Sequence, residues 1–433
     1  MERFTTLRSE AGLAALATAT GLLGVDGPAG SDPLVQAQAL RSAGIDADLA
    51  ATALTQARLR RHAAAKFGAD AAVMFFTRAG LEQATRYPVA RRRADRLAAA
   101  GATWVADLGC GIGADTVAFA RAGLRVLAVD SDPGTAEVTR ANVAALGLAD
   151  RVEVLVGDAT EVPLDQVDAV FCDPARRGVD GRRVFDPARY SPPWSFVSTL
   201  PGRVPATVVK VAPGIDHALL PAGTEGEWLS VGGEVVEACL WFGPLARVPR
   251  RASVLTPAGP VAGPGAGSAA DLGVAELTGT GDEAAPVAPV RGYLCDPDGA
   301  VVRAHLVAEF AALVDGTLAD PSIAYVYADA PVPSPFTARW YQVVEVLPIA
   351  VKRLRAALRE RGIGRLEIRK RGSALDVERL RRDLRLSGEH PATLVLTRVT
   401  GAPTVLLCQP VPAPSEERRP ARGSCSAGTQ DGV

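Results

Sequence analysis

Residues 104–177 read WVADLGCGIGADTVAFARAGLRVLAVDSDPGTAEVTRANVAALGLADRVEVLVGDATEVPLDQVDAVFCDPARR, and the rest of the chain is organised around them. Apolar runs of strand length at 104–106, 126–129, 152–156 and 169–171 alternate with helix-length segments. That alternation predicts a parallel sheet built from βαβ units, with a nucleotide-type ligand at the carboxyl ends of its strands. Between Asp107 and Gly113 the chain must turn from strand to helix while a ligand approaches the backbone, which Gly109 and Gly111 permit by lacking a Cβ. Asp130 follows Asp107 by 23 residues and ends the second strand, where a carboxylate accepts hydrogen bonds from both hydroxyls of a ribose.

The run Gly109-Cys110-Gly111-Ile112-Gly113-Ala114 satisfies both the Gly-x-Gly-x-x-Gly/Ala pattern of dinucleotide enzymes and the Asp-x-Gly-x-Gly-x-Gly pattern of methyltransferases. Asp107 separates the two, since it repels a pyrophosphate and attracts the ammonium of a methionine moiety. Gly157-Asp158 after the third strand suits an adenine amine, and Asp173-Pro174 follows the fourth. With these four ordered motifs over about 150 residues, the chain resembles the class I S-adenosylmethionine-dependent methyltransferases. The resemblance implies S-adenosyl-L-methionine as cofactor. It also implies roles: Asp107, Gly109, Gly111 and Gly113 around the methionine portion, Asp130 on the ribose, and Asp158 with Ala159 beside the adenine. Asp132 is read as the cap of the next helix and Asp115 as a first-turn carboxylate.

Amino-methylating members of this class carry Asp/Asn-Pro-Pro-aromatic after the fourth strand, where the acid and a carbonyl accept from the target amine and the ring stacks on a flipped base. Here Asp173 and Pro174 are the catalytic candidates, but Ala175 replaces the second proline and Arg176 the aromatic residue. Arg176 or Arg177 can instead stack on a base or pair with a phosphate. Ser191-Pro192-Pro193-Trp194 is read as a rigid turn rather than a second base-binding motif. Lys210, near the end of the next strand (207–211), and Asp216 and His217 after it are expected near the same edge as Asp173. The run 233–242 is expected to complete the sheet.

Composition bounds the rest. The 433 residues are 48% hydrophobic, enough for two or three domains, and the net charge of −1 gives no global attraction to nucleic acid. Lysine occurs only at 66, 210, 352 and 370 among 47 basic residues, so arginine richness is chain-wide and carries little weight for RNA binding. Six cysteines lie far apart with no Cys/His cluster, indicating neither zinc nor disulfides. The apolar run 12–25 is too short to span a membrane and is read as a core helix, so a cytoplasmic protein is expected.

Five regions follow. Residues 1–98 read as a helical amino-terminal domain, in which Arg58-Leu59-Arg60-Arg61-His62 and Arg91-Arg92-Arg93 are expected to be solvated faces, phosphate binding being the alternative. The segment 75–85 either folds over the cofactor or packs as an ordinary helix. Residues 99–255 form the α/β domain, Rossmann-like and doubly wound. Residues 256–289 are a Pro/Gly/Ala-rich linker or insertion, and 412–433 a disordered tail.

Residues 290–411 mix a helix at 301–313, a basic helix at 349–361, the strand 366–372, a helix at 376–384 and a closing hairpin at 392–409. This α+β order around Ile368-Arg369-Lys370-Arg371-Gly372 resembles the THUMP-like domain found behind methyltransferase domains in a bacterial family. True THUMP domains bind RNA. Between Lys352 and Arg385 thirteen basic side chains face five acidic ones, a net of +8 that would attract phosphates. Arg369, Lys370 and Arg371 are the substrate-binding candidates here, an ordinary solvated helix face being the alternative for the rest. The expected function is methylation of RNA, at a base nitrogen. Alternatives are a small-molecule methyltransferase whose rear domain only shapes the pocket, and a noncatalytic RNA-binding protein that retains the cofactor fold. A nicotinamide dehydrogenase stands further off. No metal is expected.

Overall fold

A computed structural model of the chain describes residues 2–23, 32–175, 190–257, 272–336 and 338–411. Arg176, Arg177, the connection at 24–30, residues 258–271 of the linker and the 412–433 tail lie outside the described residues. Two compact units emerge, one within Met1–Glu227, Glu237–Pro249 and Pro257–Gly273, the other within Trp228–Val236, Arg250–Thr256 and Val274–Val433. The sequence reading draws its boundary at 255, because a hairpin tip that groups with later residues leaves no compositional mark.

The first unit opens with α1 (Glu2–Leu7), α2 (Glu10–Leu22), α3 (Pro33–Ser42), α4 (Ala47–Phe67), α5 (Arg78–Gln83) and α6 (Tyr87–Ala99). Asp32 and Asp46 cap α3 and α4 by accepting from backbone N–H groups two or three residues on, the geometry that makes Asp a helix start signal. Ala15, Leu16 and Ala19 of α2 enter a core that also contains Ile112, Ala114, Val138 and Ala141. The helical segment therefore shares its core with the fold that follows.

That fold alternates β1 (Trp104–Leu108), α7 (Ala114–Arg121), β2 (Arg125–Asp130), α8 (Pro133–Ala145), β3 (Val152–Val156) and β4 (Ala169–Cys172). The short helices α9 (Trp194–Val197) and α10 (Leu200–Arg203) then lead to β5 (Ala206–Val211), β6 (Glu225–Val231) and β7 (Glu234–Trp241). The strand order is β3-β2-β1-β4-β5-β7-β6. Strands β1 to β5 pair in parallel and β7 runs antiparallel to β5. Chain order reverses between β1 and β4, opening a crevice beyond their carboxyl ends where ligands bind in such sheets. β6 is a strand that the reading of 233–242 does not anticipate.

The second unit contains β8 (Arg250–Pro257) and most of β9 (Leu272–Gly279), the latter inside the stretch expected to be a linker. After β10 (Tyr293–Pro297) the expected helix 301–313 is two helices, α11 (Gly299–Arg303) and α12 (Val307–Leu313), broken where His305 takes a φ of 60°. The remaining elements are β11 (Thr317–Leu318), β12 (Val326–Ala328), β13 (Ala338–Pro348), α13 (Val351–Glu360), β14 (Ile363–Lys370), α14 (Val377–Leu384), β15 (His390–Val399) and β16 (Ala402–Val411). A seven-stranded sheet runs β11-β12-β10-β13-β16-β15-β14, with only β14 and β15 parallel among its described pairs. Leu354 and Leu358 of α13 and Leu380 and Leu384 of α14 pack with Leu394, Leu396, Val405 and Leu407 of the sheet.

One expectation about the first unit fails on physical grounds. Arg93 is not solvated: it lies on the buried face of α6 with Val89, Ala90, Ala94 and Leu97, and is 2% exposed. Its guanidinium pairs with Asp115 and Glu237 and stacks 4.4 Å from the centroid of Phe171. Arg92 pairs with Glu227 at 3.0 Å and Arg96 with Glu225 at 2.6 Å. Only Arg91 keeps the expected exposed setting. Burial disfavours the Arg93 charge, but Asp115 and Glu237 outweigh it and hold the pKa above its ordinary value. Removing one partner of a buried ion pair strands the other. Arg93→Met should therefore lower stability by about 3–5 kcal/mol, read from the urea midpoint; a loss no larger than that of an exposed pair would show that Arg93 carries no such role.

Candidate active site

The site begins where β1 ends. The N–H groups of Gly109 and Cys110 both donate to the Val129 carbonyl, at 2.9 and 3.0 Å, which folds the loop back over β2. Gly109 has a φ of 89°, and a Cβ there would stand 2.7 Å from the Asp173 carbonyl oxygen. Both facts demand glycine. At Gly111 (φ 58°) the space that a Cβ would take is open, whereas at Gly113 it faces Thr139 of α8. Thr139 Oγ1 donates to the Gly111 carbonyl at 2.6 Å. Asn142, also on α8, accepts from Phe75 N at 2.6 Å and donates to the carbonyls of Phe75 and Ile112 at 3.1 and 2.8 Å. One buried amide thus ties the segment ahead of β1 to the glycine loop.

Asp107 is wholly buried. Thr116 Oγ1 donates to its Oδ2, but its Oδ1 has no hydrogen-bond partner. Burial, and then the nearby Asp115 carboxylate, push its pKa up to about 8 against the Thr116 hydrogen bond. An orphaned buried carboxylate oxygen of this kind is suited to a cationic donor, and the open space at Gly111 leaves the loop backbone approachable. The residues present therefore fit a ligand that carries an ammonium group.

Asp130 stands at the end of β2, one strand over. Its Oδ2 accepts from Gly111 N at 3.0 Å and its Oδ1 from Asp132 N at 2.9 Å, and burial raises its pKa. Two backbone bonds fix the carboxylate while each oxygen keeps a further lone pair. Asp132 caps α8 through Gly134 N and Thr135 N, as its sequence position implies. Asp115 stands in the first turn of α7, as its sequence position implies, and is also the buried partner of Arg93. Asp158, after the edge strand β3, is exposed; Thr160 N and Oγ1 both donate to it at 2.8 Å and lower its pKa. Ala159 beside it is buried.

At the end of β4, Asp173 N donates to Leu108 O at 3.1 Å, which sets the loop against the end of β1. Lys210, at 5% exposure, donates from Nζ to Asp173 Oδ2 at 2.7 Å and to Thr85 Oγ1 at 3.0 Å, with Glu237 4.0 Å away. Burial opposes the ammonium, but Asp173, Glu237 and Asp115 together raise its pKa. Lys210 therefore meets Asp173 as the strand-end rule predicts. Asp216 instead caps the turn at His217–Leu219 by accepting from Ala218 N at 2.9 Å. Pro174 is buried, and Ala175 exchanges two backbone hydrogen bonds with Ser191, at 2.7 and 3.1 Å. The Ser191–Trp194 segment, read from sequence as a rigid turn, is thus anchored to the chain leaving Asp173.

Sequence reasoning misses Arg93 and Glu237 as members of this constellation, whereas Thr85 belongs to the 75–85 segment that it singles out. Arg93 does carry a signal, since it recurs at helical spacing with Val89, Ala90 and Leu97 on an apolar stripe. Glu237 carries another, as a lone charge inside the apolar run of β7.

In the second unit Arg369 and Arg371 of the basic triplet turn inward, while Lys370 is exposed. Arg371 Nη2 lies 2.9 Å and Arg369 Nη1 3.7 Å from Asp296, Arg369 also pairs with Glu367 at 2.7 Å, and Lys370 Nζ donates to Leu375 O at 3.1 Å. Arg371 adds a bond to Ala324 O at 2.6 Å and lies 4.8 Å from the ring centroid of Tyr325. The triplet ties the strand edge to β10 and its neighbours.

Comparison with known proteins agrees with this geometry. A family model described as a methyltransferase domain matches residues 105–178, one described as THUMP domain-like matches 338–410, and one described as a domain of unknown function matches 1–63. A Mycobacterium tuberculosis protein named an uncharacterized S-adenosylmethionine-dependent methyltransferase is 37% identical over 367 residues, covering 81% of this chain and 95% of its own length. A 104-residue stretch, 23% of this chain and 24% of the relative, is 32% identical to the 23S rRNA (uracil(1939)-C(5))-methyltransferase of Acidithiobacillus ferrooxidans. Among solved structures, a methyltransferase from Porphyromonas gingivalis superposes with a TM-score of 0.65 at 20% identity, over 92% of this chain and 98% of the other, which shows a common fold. The chain belongs to the family of S-adenosylmethionine-dependent methyltransferases that the mycobacterial protein represents, with a THUMP-like domain behind the catalytic fold.

Proposed function

We propose that the protein methylates RNA at a base nitrogen, with Asp173 orienting the acceptor. The observation that carries this reading is the Asp173–Lys210 pair at the mouth of the crevice, 2.7 Å apart. Lys210 occupies Oδ2, and among the described residues no other donor reaches the carboxylate, so Oδ1 is left for the N–H of an incoming amine. When bound, S-adenosylmethionine supplies an electrophilic methyl group on its sulfonium. Asp107 Oδ1 receives the ammonium of its methionine portion, and the loop at Gly109, Gly111 and Gly113 lets the backbone lie against that portion. Asp130 accepts from the ribose hydroxyls, and Asp158 and Ala159 border the adenine.

Much of the acceleration then comes from holding acceptor and methyl group in line and within reach. The proton lost by the acceptor nitrogen passes to solvent after transfer. Support for RNA as acceptor comes from the THUMP-like match and from the stretch similar to a 23S rRNA methyltransferase. Support for nitrogen comes from the described cysteines: a covalent route to a pyrimidine carbon would use an activated nucleophile such as a thiolate, and among the described residues Cys110, Cys172, Cys239, Cys295 and Cys408 are buried with thiol pKa values pushed up.

The test is transfer of radiolabelled methyl from S-adenosylmethionine to total RNA from a strain lacking this protein. The wild-type protein should label RNA. Asp173→Ala should bind the cofactor within about threefold of wild type and show at least a hundredfold lower transfer, the range expected when an orienting group is lost. Equal transfer by the variant would remove Asp173 from the mechanism. Cofactor binding without labelled RNA would point to a small-molecule acceptor.

A further inference from the structure

The charge excess between residues 352 and 385 is not spread evenly over the second unit, and its distribution identifies a surface. Leu354, Ala357 and Leu358 of α13, and Leu380 and Leu384 of α14, are buried against the sheet. The opposite sides of both helices consequently face away from it. On that outer side Lys352, Arg353 and Arg359 of α13 are exposed, joined by Arg382 and Arg385 at the end of α14.

The acidic residues of the same stretch are largely committed elsewhere. Glu360 and Glu345 lie beside Arg361, Glu367 beside Arg369, and Asp383 beside Arg379. Asp376 caps α14 and Glu378 sits in its first turn, where carboxylates offset the helix dipole. Lys352, Arg353, Arg359 and Arg385 have no ion-pair partner among the described residues. Cations held on ordered elements, exposed and unneutralised, match a chain of phosphates. The Arg369–Arg371 run does not, since Asp296, Glu367 and two carbonyls already occupy it.

We infer that the outer face of α13, with Arg385 at the end of α14, is the surface on which this protein holds the phosphate backbone of its RNA, and that the Arg369-Lys370-Arg371 run is structural. This rests on the reading that RNA is the acceptor. It assigns affinity to this face and leaves base selection to the methyltransferase crevice.

The test uses the full chain and fluorescein-labelled fragments of total ribosomal RNA, with affinity measured at several salt concentrations. The variant Lys352→Gln/Arg353→Gln/Arg359→Gln/Arg385→Gln should bind at least tenfold more weakly at 0.1 M salt, about the loss expected for several phosphate contacts. Its log–log salt slope should be shallower by about 3, since each lost contact removes roughly 0.7 on single strands. Its affinity for S-adenosylmethionine should match wild type, which shows that the catalytic unit is folded. Lys370→Gln should change neither slope nor affinity. Salt-dependent RNA binding by wild type that the quadruple variant retains would overturn the surface and leave the RNA reading standing. No RNA binding by wild type would overturn both, and capture by vesicles containing phosphatidylglycerol in its place would assign the face to a membrane surface.

Discussion

A carboxylate without enough positive charge around it sets the terms for this fold. Asp107, Asp115 and Glu237 are buried together with the half-buried Asp173, against the cations of Arg93 and Lys210 among the described residues. Arg93 is consumed by Asp115 and Glu237, and Lys210 by Asp173. Asp107 is left with a threonine hydroxyl on one oxygen and nothing on the other. A group so placed holds a proton until a cation replaces it. The glycines beside it keep the loop backbone open to a ligand, with a free Cβ position at Gly111 and the Asp173 carbonyl close against Gly109.

The parts of this arrangement that are legible in the sequence are those whose partners lie nearby in the chain. The glycine loop, Asp130 after the second strand and Asp173 after the fourth follow from the βαβ repeat, because each strand delivers its last residue to the same edge. Asp132 and Asp376 are readable as caps, since a cap satisfies backbone groups two or three residues away. Arg93 and Glu237 are different. They lie 144 residues apart, and their union depends on β7 being inserted beside β5, an antiparallel step that no local pattern announces.

The basic triplet shows the converse error. Three consecutive cations on a strand stand out in the sequence, yet alternation along β14 and the nearby Asp296 draw two of them into the unit's own framework. Exposed cations on α13 are less conspicuous because they are interleaved with the leucines that anchor the helix. A charge count finds the region, while only the burial pattern separates the arginines that hold the unit together from those left facing water.

The most direct test of this account is the number of protons released when S-adenosylmethionine binds, obtained by calorimetric titration at pH 6.5 in two buffers of different ionisation enthalpy. With its pKa pushed up to about 8, Asp107 is protonated at that pH in the free protein and must ionise to meet the ammonium. The expected result is release of about one proton by the wild-type protein and none by Asp107→Asn. Binding by wild type without proton release, or equal release by the variant, would contradict the claim that this orphaned carboxylate is completed by the cofactor.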